Sequence, residues 1–260
     1  MYENLKKDFF TKGYSIVKNG IDESLVIEME EHIYWLLQKY PNIHPEAFHH
    51  DLLVKDPFIH HLLKSKKLLD IIETFIGPNI ALFGAHYIAK KPLTGKAVGW
   101  HQDGSYWPLI PMNVISLWIA GTNSNANNGC MRIIPGTQNK KLLEQSDLIK
   151  EDMEKFVLGL AIHPDTIDDS EAINIELKPG DISIHNPLLV HGSNPNNSNQ
   201  WRIGLTLRYI PTSTFVNTKE WDCILLRGKP SRIINNKYIK EPFFDSNKHM
   251  KFKGFENYLK

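Results

Sequence analysis

Two histidines and one aspartate have the types and spacing best suited to chemistry in this chain. His101 and Asp103 stand two positions apart, and His191 follows 88 residues after Asp103. On an extended strand, side chains at i and i+2 project from one face, so a short segment can offer an imidazole nitrogen and a carboxylate oxygen to one ion. Two histidines and a carboxylate occupy one face of an octahedral ferrous ion and leave adjacent positions open. The set therefore indicates a catalytic metal site rather than a closed structural one.

The sequence leaves two candidates for the third ligand. His191 ends an apolar segment predicted to be a strand, whereas His185 ends the segment before it. The Asn186-Pro187 break between them prevents a comparison of their faces by simple alternation. We prefer His191 and keep His185 as the alternative. Two adjacent pairs have no carboxylate at ligand spacing and are predicted to be structural or surface residues, namely His49-His50 and His60-His61.

Arg202, eleven residues after His191, lies near the start of a candidate anion-binding strand. Alternation puts one polar set on one face, Arg202, Gly204, Thr206 and Arg208, and an apolar set on the other, Trp201, Ile203, Leu205, Leu207 and Tyr209. The apolar face can pack under helices, while the polar face lines an interior in which Gly204 leaves room. There the planar fork of an arginine can bind a carboxylate through two hydrogen bonds. The alternative, a polar face in solvent, is disfavoured by the position of the strand after a candidate ligand.

Length and composition predict one soluble domain. The 260 residues are 42% hydrophobic and 23% charged, and 30 Lys and Arg against 29 Asp and Glu give a net charge of +1. This balance favours a small-molecule partner over nucleic acid or a membrane surface. Cys130 and Cys223 are too few for a disulfide framework. Because the first ten residues lack an apolar signal segment and no run could span a bilayer, we expect a cytoplasmic protein. The sequence leaves its oligomeric state open between monomer and dimer.

Helical periodicity dominates the first third of the chain, and short strands follow. Residues 22–40 predict a helix ended by Pro41, and a second helix from near Ser65 meets Gly77-Pro78. Candidate strands rich in β-branched and aromatic residues are 80–90, 114–120, 131–134, 172–177, 182–185, 188–191 and 201–210. This pattern predicts a mainly β protein, a jelly roll buttressed by N-terminal helices.

The predicted organisation is a single domain over residues 1–260. It comprises a helical third at about 1–78, a jelly-roll core at about 79–211 and a C-terminal extension at 212–260. Residues 139–171 are rich in charge and carry Leu142, Leu143, Leu148 and Ile149. We expect them to form a helical excursion between strands that covers a cavity mouth.

Taken in order, these motifs resemble the phytanoyl-CoA dioxygenase family, iron(II)- and 2-oxoglutarate-dependent oxygenases on a cupin-like double-stranded β-helix. The resemblance runs from about Gly13-Tyr14 to Pro211 and is closest to short bacterial members that act on small metabolites. The segments that carry it are Phe75-Ile-Gly-Pro-Asn-Ile80, His101-Gln-Asp103, Asn128-Gly-Cys-Met-Arg132, Ile134-Pro-Gly-Thr137, Lys178-Pro-Gly-Asp181, His191-Gly-Ser193 and Arg202.

The resemblance implies a role for each matching position. His101, Asp103 and His191 would hold Fe(II), and Arg202 would pair with the distal carboxylate of 2-oxoglutarate, with O2 as the oxidant. Ser193 and Trp118 fall where family members contact that co-substrate, although Trp118 needs a one-residue gap in the family spacing. Halogenating relatives replace the carboxylate ligand by a small residue, so the presence of Asp103 favours hydroxylation.

Substrate contacts are predicted from position near the His101-Asp103 pair or on core strands. The candidates are Tyr87, Gln102, Tyr106, Trp107 and Arg132. Tyr106 and Trp107 can equally be core residues, and Arg132 can bind an anionic substrate, form a structural ion pair or flank the cofactor. The predicted reaction hydroxylates an unactivated C–H bond of a small metabolite and releases succinate and CO2. The alternatives are desaturation, cyclisation or epimerisation at the same site, or a non-catalytic jelly roll that binds metal and ligand.

Overall fold

The protein is described by a computed structural model over residues 2–218 and 220–260. Its α-helices are α1 (Tyr2–Lys12), α2 (Glu23–Lys39), α3 (His50–Leu53), α4 (Pro57–Leu63) and α5 (Lys66–Ile76). Its strands are β1 (Tyr14–Val17), β2 (Ile80–Lys90), β3 (Val98–His101), β4 (Leu109–Ile110), β5 (Ile115–Ala120), β6 (Met131–Ile133), β7 (Ile149–Lys150), β8 (Leu160–Ala161), β9 (Ile173–Ile175), β10 (Ile182–His185), β11 (His191–Ser193), β12 (Arg202–Pro211), β13 (Phe215–Val216) and β14 (Ile224–Arg227). No helix of the described residues is long and apolar enough to cross a membrane.

Two antiparallel sheets build the core. The larger has the order β1-β10-β5-β12-β2-β14, and the smaller has the order β3-β11-β6-β9. Strands that are distant in the chain are neighbours in both sheets, as a jelly roll requires. The prediction of a mainly β jelly roll with flanking helices is confirmed, and the two sheets enclose the cavity described below.

The helices cover the outer face of the larger sheet. Apolar residues of α2, such as Met29 and Ile33, join one buried cluster with Ile203, Leu205 and Leu207 of β12. The alternation predicted for this strand is therefore confirmed, because its polar residues face the opposite way, into the cavity. Burial of one aliphatic side chain contributes about 1.5–3 kcal/mol, so this cluster fixes the orientation of the whole strand.

The start of α4 and the end of α5 lie at residues whose types favour helix ends. α4 begins where the Asp56 carboxylate accepts a hydrogen bond from the backbone N–H of Phe58 at 2.8 Å, with Pro57 in the first turn. α5 ends at Gly77, whose φ of 80° favours glycine. The two helices assigned from the sequence, α2 and α5, were predicted to within a residue of their observed ends. The helices α1, α3 and α4 were not assigned individually from the sequence.

The prediction of a helical excursion at 139–171 is wrong. The segment contains the two-residue strands β7 and β8 and short 3-10 turns at Gln145–Asp147 and Pro164–Thr166. Its aliphatic residues Leu142, Leu143, Leu148 and Ile149 do not recur every three or four positions, so no helix face forms. The segment nevertheless covers the cavity, because Val157 and Leu158 lie in the cavity wall.

The residues after 211 are packed onto the rest of the molecule. β14 adds an edge strand to the larger sheet beside β2, and β13 pairs with β4. Phe244, Phe252 and Tyr258 join the buried cluster under the helices. This part of the chain is thus continuous with the core.

Candidate metal centre

Strand register brings the two candidate histidine ligands together. His101 is the last residue of β3, His191 is the first residue of β11, and the two stand directly opposite each other in the antiparallel pair. Their ring centroids are 4.1 Å apart. Asp103 opens a 3-10 turn that follows β3, so the chain bends after His101 and turns the carboxylate toward both rings.

Two sequence-based details of this arrangement are wrong, although the residues converge. His101 and Asp103 do not share one strand face, because β3 ends at His101 and the turn begins at Asp103. His191 begins a strand rather than ending one, because residues 188–190 lie outside any strand. The turn at Asp103 and the pairing of β3 with β11 bring the three side chains together. From the sequence, side-chain alternation along one strand was expected to bring His101 and Asp103 together.

Hydrogen bonds fix which ring nitrogen of each histidine can bind a metal. Nδ1 of His101 lies 2.9 Å from the carbonyl of Gly99, and Nδ1 of His191 lies 2.9 Å from the carbonyl of Leu189. A carbonyl can only accept, so each Nδ1 carries the proton and each Nε2 keeps its lone pair. Such hydrogen bonds to the remote nitrogen are usual for metal-binding histidines.

The three candidate ligand atoms face a common point. One atom each from His101, Asp103 and His191 lies within 4.8 Å of the others. Oδ1 of Asp103 is 3.6 Å from Nε2 of His101 and 4.0 Å from Nε2 of His191. Burial and the neighbouring His101 hold the pKa of His191 well below its usual value, so its imidazole is neutral, as a ligand must be.

The other oxygen of Asp103 is held by protein groups. The Ser116 hydroxyl donates to Oδ2 at 3.0 Å, and Nε2 of His185 lies 3.4 Å from the same atom. Burial alone would raise the pKa of Asp103, but Arg208 and the adjacent imidazoles outweigh it and hold this pKa well below its usual range. The carboxylate is therefore charged and oriented. His185, the alternative third ligand, contacts the far side of Asp103 and lies outside the three-atom group.

A cavity of about 270 Å³ lies between the sheets, and the three residues form part of its wall. The donor set suits a ferrous ion, with two imidazole nitrogens and one carboxylate oxygen grouped on one side. The remaining positions around such an ion would face the cavity. The residues thus fit a catalytic iron rather than a closed structural metal.

Arg202 lies on the same cavity wall as the three ligands. Its guanidinium is buried and donates to the carbonyl of Ile88 at 3.2 Å, and its Nε has no hydrogen-bond partner within residues 2–218 and 220–260. Burial lowers the pKa of Arg202 to about 10, so it remains a cation at neutral pH. An unpaired buried cation in a cavity is suited to binding a carboxylate.

Trp118 and Ser193 accompany Arg202 in the cavity wall. The Arg202 guanidinium carbon lies 5.3 Å from the centre of the Trp118 ring. A Cβ at Gly204 would lie 1.9 Å from Cζ2 of Trp118, so the ring occupies the space that glycine leaves. Nζ of Lys90 donates a hydrogen bond to the Ser193 hydroxyl at 2.7 Å. Lys90 on β2 stands directly opposite Arg202 on β12 in the antiparallel pair. The residues predicted to contact the co-substrate are thus brought together.

Of the predicted substrate contacts, Tyr106 and Trp107 line the cavity. Gln102 does not, because it holds the covering segment in place. Its amide donates to the Leu188 carbonyl at 2.8 Å and accepts from the Leu143 N–H at 2.9 Å. The Tyr106 hydroxyl also donates to this segment, at the Leu160 carbonyl, 2.6 Å away.

Tyr87 and Arg132 also lie outside the cavity wall. Tyr87 belongs to the outer face of β2, where its hydroxyl lies 3.1 Å from Nδ1 of His32 in the helix-covered core. Arg132 is partly exposed and pairs with Asp169 at 3.3 Å. Both residues are structural, because they alternate away from the cavity or toward solvent.

Sequence reasoning missed several cavity residues. His49 and His50, predicted to be structural or surface residues, lie in the wall together with His86 and Trp221. Arg208 was predicted to face the interior and lies beside Asp103, with Nη2 3.9 Å from Oδ1. No local sequence spacing predicts that these residues line one cavity, because they come from four separate segments. The one available signal was the alternation of β12, which includes Arg208.

Comparison with known proteins identifies the family. The phytanoyl-CoA dioxygenase family model matches residues 11–204, and the chain belongs to that family. Peroxisomal phytanoyl-CoA dioxygenase of Rattus norvegicus is 31% identical over 149 residues, which make up 55% of this chain and 43% of the rat protein. The chain therefore matches less than half the length of that relative.

Solved structures show the same fold. The apo form of ThoJ, a non-heme monooxygenase, has a TM-score of 0.77 and 21% identity, covering 94% of this chain and 91% of ThoJ. The epimerase SnoN, in complex with Fe3+, alpha ketoglutarate and nogalamycin RO, has a TM-score of 0.67 and 18% identity, covering 82% and 84%. The shared architecture agrees with the jelly roll seen here.

Proposed function

We propose that this protein is an Fe(II)- and 2-oxoglutarate-dependent dioxygenase that hydroxylates an unactivated C–H bond of a small molecule. The reaction consumes O2 and 2-oxoglutarate; one oxygen atom enters the product alcohol and the other enters succinate, with release of CO2. The observation that carries the proposal is the convergence of His101, Asp103, His191 and Arg202 on one cavity. Membership of the phytanoyl-CoA dioxygenase family supports it.

The ligand residues hold their atoms ready before a metal binds. The carbonyls of Gly99 and Leu189 fix both imidazole rings, and Ser116 fixes the carboxylate. Preformed ligands lose little conformational freedom on binding, which favours affinity. When bound, iron with 2-oxoglutarate supplies the oxidising power that no side chain has.

Arg202 would orient the co-substrate. A dicarboxylate whose distal end pairs with Arg202 can reach the three ligand residues with its other end, because all of these groups share one wall. Trp118 flanks the same guanidinium and limits where the chain of the co-substrate can lie. The two ends of 2-oxoglutarate would therefore be fixed independently.

The walls favour a small substrate and keep water away. The cavity, about 270 Å³, is near the lower end of ligand pockets, which span roughly 300–1,000 Å³, and it must also hold 2-oxoglutarate. Tyr106, Trp107, Val157 and Leu158 give it apolar sides. Exclusion of water protects a strong oxidant from side reactions. Hydroxylation rather than halogenation is favoured because a carboxylate, Asp103, stands at the third ligand position.

The first experiment tests which histidine binds the metal. We expect His191→Asn to weaken Fe(II) affinity by roughly 100-fold or more, since even the loss of an outer hydrogen-bond partner commonly costs about 10–100-fold. The matched comparison, His185→Asn, should lose less, roughly 10-fold, because His185 contacts only the far oxygen of Asp103 and Ser116 still holds that oxygen. Calorimetric titration of anaerobic Fe(II) measures both. The opposite ranking would make His185 the ligand.

The second experiment tests turnover. With Fe(II), ascorbate and O2, the wild-type protein should convert 2-oxoglutarate slowly to succinate without an added substrate. Asp103→Ala removes one ligand and should abolish this conversion while circular dichroism shows an intact fold. Folded wild-type protein that forms no succinate and shows no absorption band with Fe(II) and 2-oxoglutarate would refute the proposal.

A further inference from the structure

Arg208 is a cation at the cavity wall whose carboxylate neighbour, Asp103, is assigned to the metal in the proposed reaction. Its side chain is 14% exposed, and Nε has no hydrogen-bond partner among the described residues. The guanidinium carbon lies 5.2 Å from the centre of the Trp107 ring. A Cβ at Gly84, the backbone neighbour of Arg208 on β2, would lie 3.2 Å from Cδ of Arg208. The guanidinium thus contacts a tryptophan ring, and the stem of the side chain passes close to a glycine.

The charges of the cavity do not balance without another anion. Among the described wall residues, Asp103 is the one carboxylate, whereas Arg202 and Arg208 are both cations. The two charges of Fe(II) and the two of 2-oxoglutarate cancel, and Asp103 offsets one arginine when the histidines are counted as neutral. One positive charge remains. A charge buried without a partner is costly, so this site favours a ligand that supplies a negative group.

The imidazoles near Arg208 do not supply a second cation. Nε2 of His50 donates to the Asp222 carbonyl at 2.6 Å, and Nε2 of His86 donates to the Glu46 carbonyl at 2.7 Å. Each Nδ1 therefore has its lone pair free. Burial lowers the pKa of His49 and that of His50, and it lowers the pKa of His86 to about 3, so all three rings are neutral at pH 7. Arg208 is the positive group at this end of the cavity.

Aromatic rings surround the same end. Trp221 stacks on His50 with ring planes 6° apart and centroids 5.1 Å apart. It also stacks on Phe83, with centroids 5.2 Å apart. Trp107 contacts Phe83 edge to face at 5.8 Å. A cation set among aromatic faces suits a ligand with one charged group and an apolar body.

We propose that Arg208 binds an anionic group of the primary substrate, a carboxylate or a phosphate, while the apolar part of the substrate lies against Trp107 and Trp221. This inference rests on the proposed function, because it assigns the second substrate of that reaction. Nη2 of Arg208 is 3.9 Å from Oδ1 of Asp103. An anion paired with Arg208 therefore lies next to the metal ligands, and the oxidised carbon is only a few bonds from the anionic group. Arg132, the cation that sequence position suggested for this role, lies outside the cavity wall.

The test uses anaerobic protein loaded with Fe(II) and 2-oxoglutarate, so that nothing turns over. Phenylacetate, phenyl phosphate and the neutral phenylacetamide are titrated by calorimetry into wild type, Arg208→Gln and Arg208→Lys. We expect wild type to bind at least one anion roughly 10-fold or more tightly than the amide, as a charge-assisted pair implies. Arg208→Gln should lose this preference, and Arg208→Lys should keep part of it. The tighter anion identifies a carboxylate or a phosphate site.

Arg132→Gln is the matched control and should keep the full preference. Wild type with no preference for either anion, or Arg208→Gln with an undiminished preference, would overturn the proposal. The same titrations in metal-free protein separate this failure from failure of the proposed function. An Arg208-dependent preference there, without an absorption band on adding Fe(II) and 2-oxoglutarate, would uphold the anion site and refute the dioxygenase.

Discussion

The two ends of the inner face of β12 are built alike and placed differently. At each end an arginine lies near a tryptophan ring and a glycine, with Trp118 and Gly204 beside Arg202, and Trp107 and Gly84 beside Arg208. Arg202 stands opposite a second basic residue, Lys90, whereas Arg208 stands 3.9 Å from the carboxylate of a candidate metal ligand.

Because their neighbours differ, we expect Arg202 and Arg208 on the same strand to bind different ligands. Burial, and after it the adjacent Arg202, holds the pKa of Lys90 well below its usual value, so an anion bound there would meet two basic side chains. Such an end suits the distal carboxylate of 2-oxoglutarate. The Arg208 end, beside the three ligand residues, suits a substrate whose reacting carbon must lie near the metal. An arginine near a tryptophan ring and a glycine can therefore bind either anion, and the residues around the arginine determine which one.

The largest expected effect separates the two arginines. Arg202→Gln should weaken 2-oxoglutarate binding by roughly 100-fold or more, since removing one member of a buried ion pair leaves the other charge uncompensated. Arg208→Gln should change that affinity by less than about 3-fold, an outer limit for loss of long-range attraction alone. Anaerobic titration with Fe(II) present measures both dissociation constants. A larger loss in Arg208→Gln would reverse the assignment of the two ends.

The glycines offer a smaller, steric version of the same comparison. In Gly204→Ala the new Cβ would lie 1.9 Å from the Trp118 ring, so the ring must move. Overpacking of this kind costs about 1–3 kcal/mol, and we expect roughly 10-fold weaker 2-oxoglutarate binding. In Gly84→Ala the contact is 3.2 Å from the flexible stem of Arg208, so 2-oxoglutarate affinity should be unchanged. Equal effects of the two variants would show that the ends are not independent.

The Arg208 end should also make folding sensitive to acid. The unfolded His86 imidazole binds a proton near pH 6.5, whereas the folded one resists protonation down to about pH 3. The unfolded state therefore binds more protons as pH falls below 6.5, and stability present above that pH is progressively lost. From pH 7 to pH 5 the His86 contribution is about 1–2 kcal/mol. Urea denaturation of metal-free protein should show a shallower pH dependence in His86→Gln, while His163→Gln, at an exposed position, should match wild type.

The smallest effect of a substitution is expected at Arg132, which lies outside the cavity wall. Arg132→Gln breaks a partly exposed pair with Asp169, and such pairs contribute about 0–1 kcal/mol. The free energy of unfolding and the affinity for 2-oxoglutarate should both stay close to wild type. A marked loss of either would place Arg132 in the site after all.

The sequence was most informative where one local rule decides the structure. Alternation along β12 predicted both the buried face and the inward arginines, because register on a half-buried strand is strongly constrained. The helix that ends at Gly77 was predicted for a similar reason, since glycine accepts the required backbone angle. The candidate ligands His101, Asp103 and His191 were selected together from spacing and from family resemblance, and the structure brings them together.

Prediction was weaker where distant segments meet. His50 and Trp221 stack in the cavity although 171 positions separate them, and no local pattern encodes that contact. Tyr87 was expected to contact substrate, but the pleat of β2 turns it toward His32 and the helices. Segment 139–171 covers the cavity without a helix because tertiary hydrogen bonds, such as that from Tyr106 to Leu160, hold it. These features depend on tertiary packing rather than on local propensity.

The most direct test of the central claim follows oxygen from O2 into succinate. Wild-type protein with Fe(II), ascorbate and 2-oxoglutarate is incubated under isotopically heavy dioxygen, and the succinate is analysed by mass spectrometry. A dioxygenase built on His101, Asp103 and His191 predicts succinate that carries one heavy oxygen atom in wild type, and no succinate above the protein-free control in Asp103→Ala. Unlabelled succinate from wild type, or equal labelled succinate from Asp103→Ala, would contradict the account.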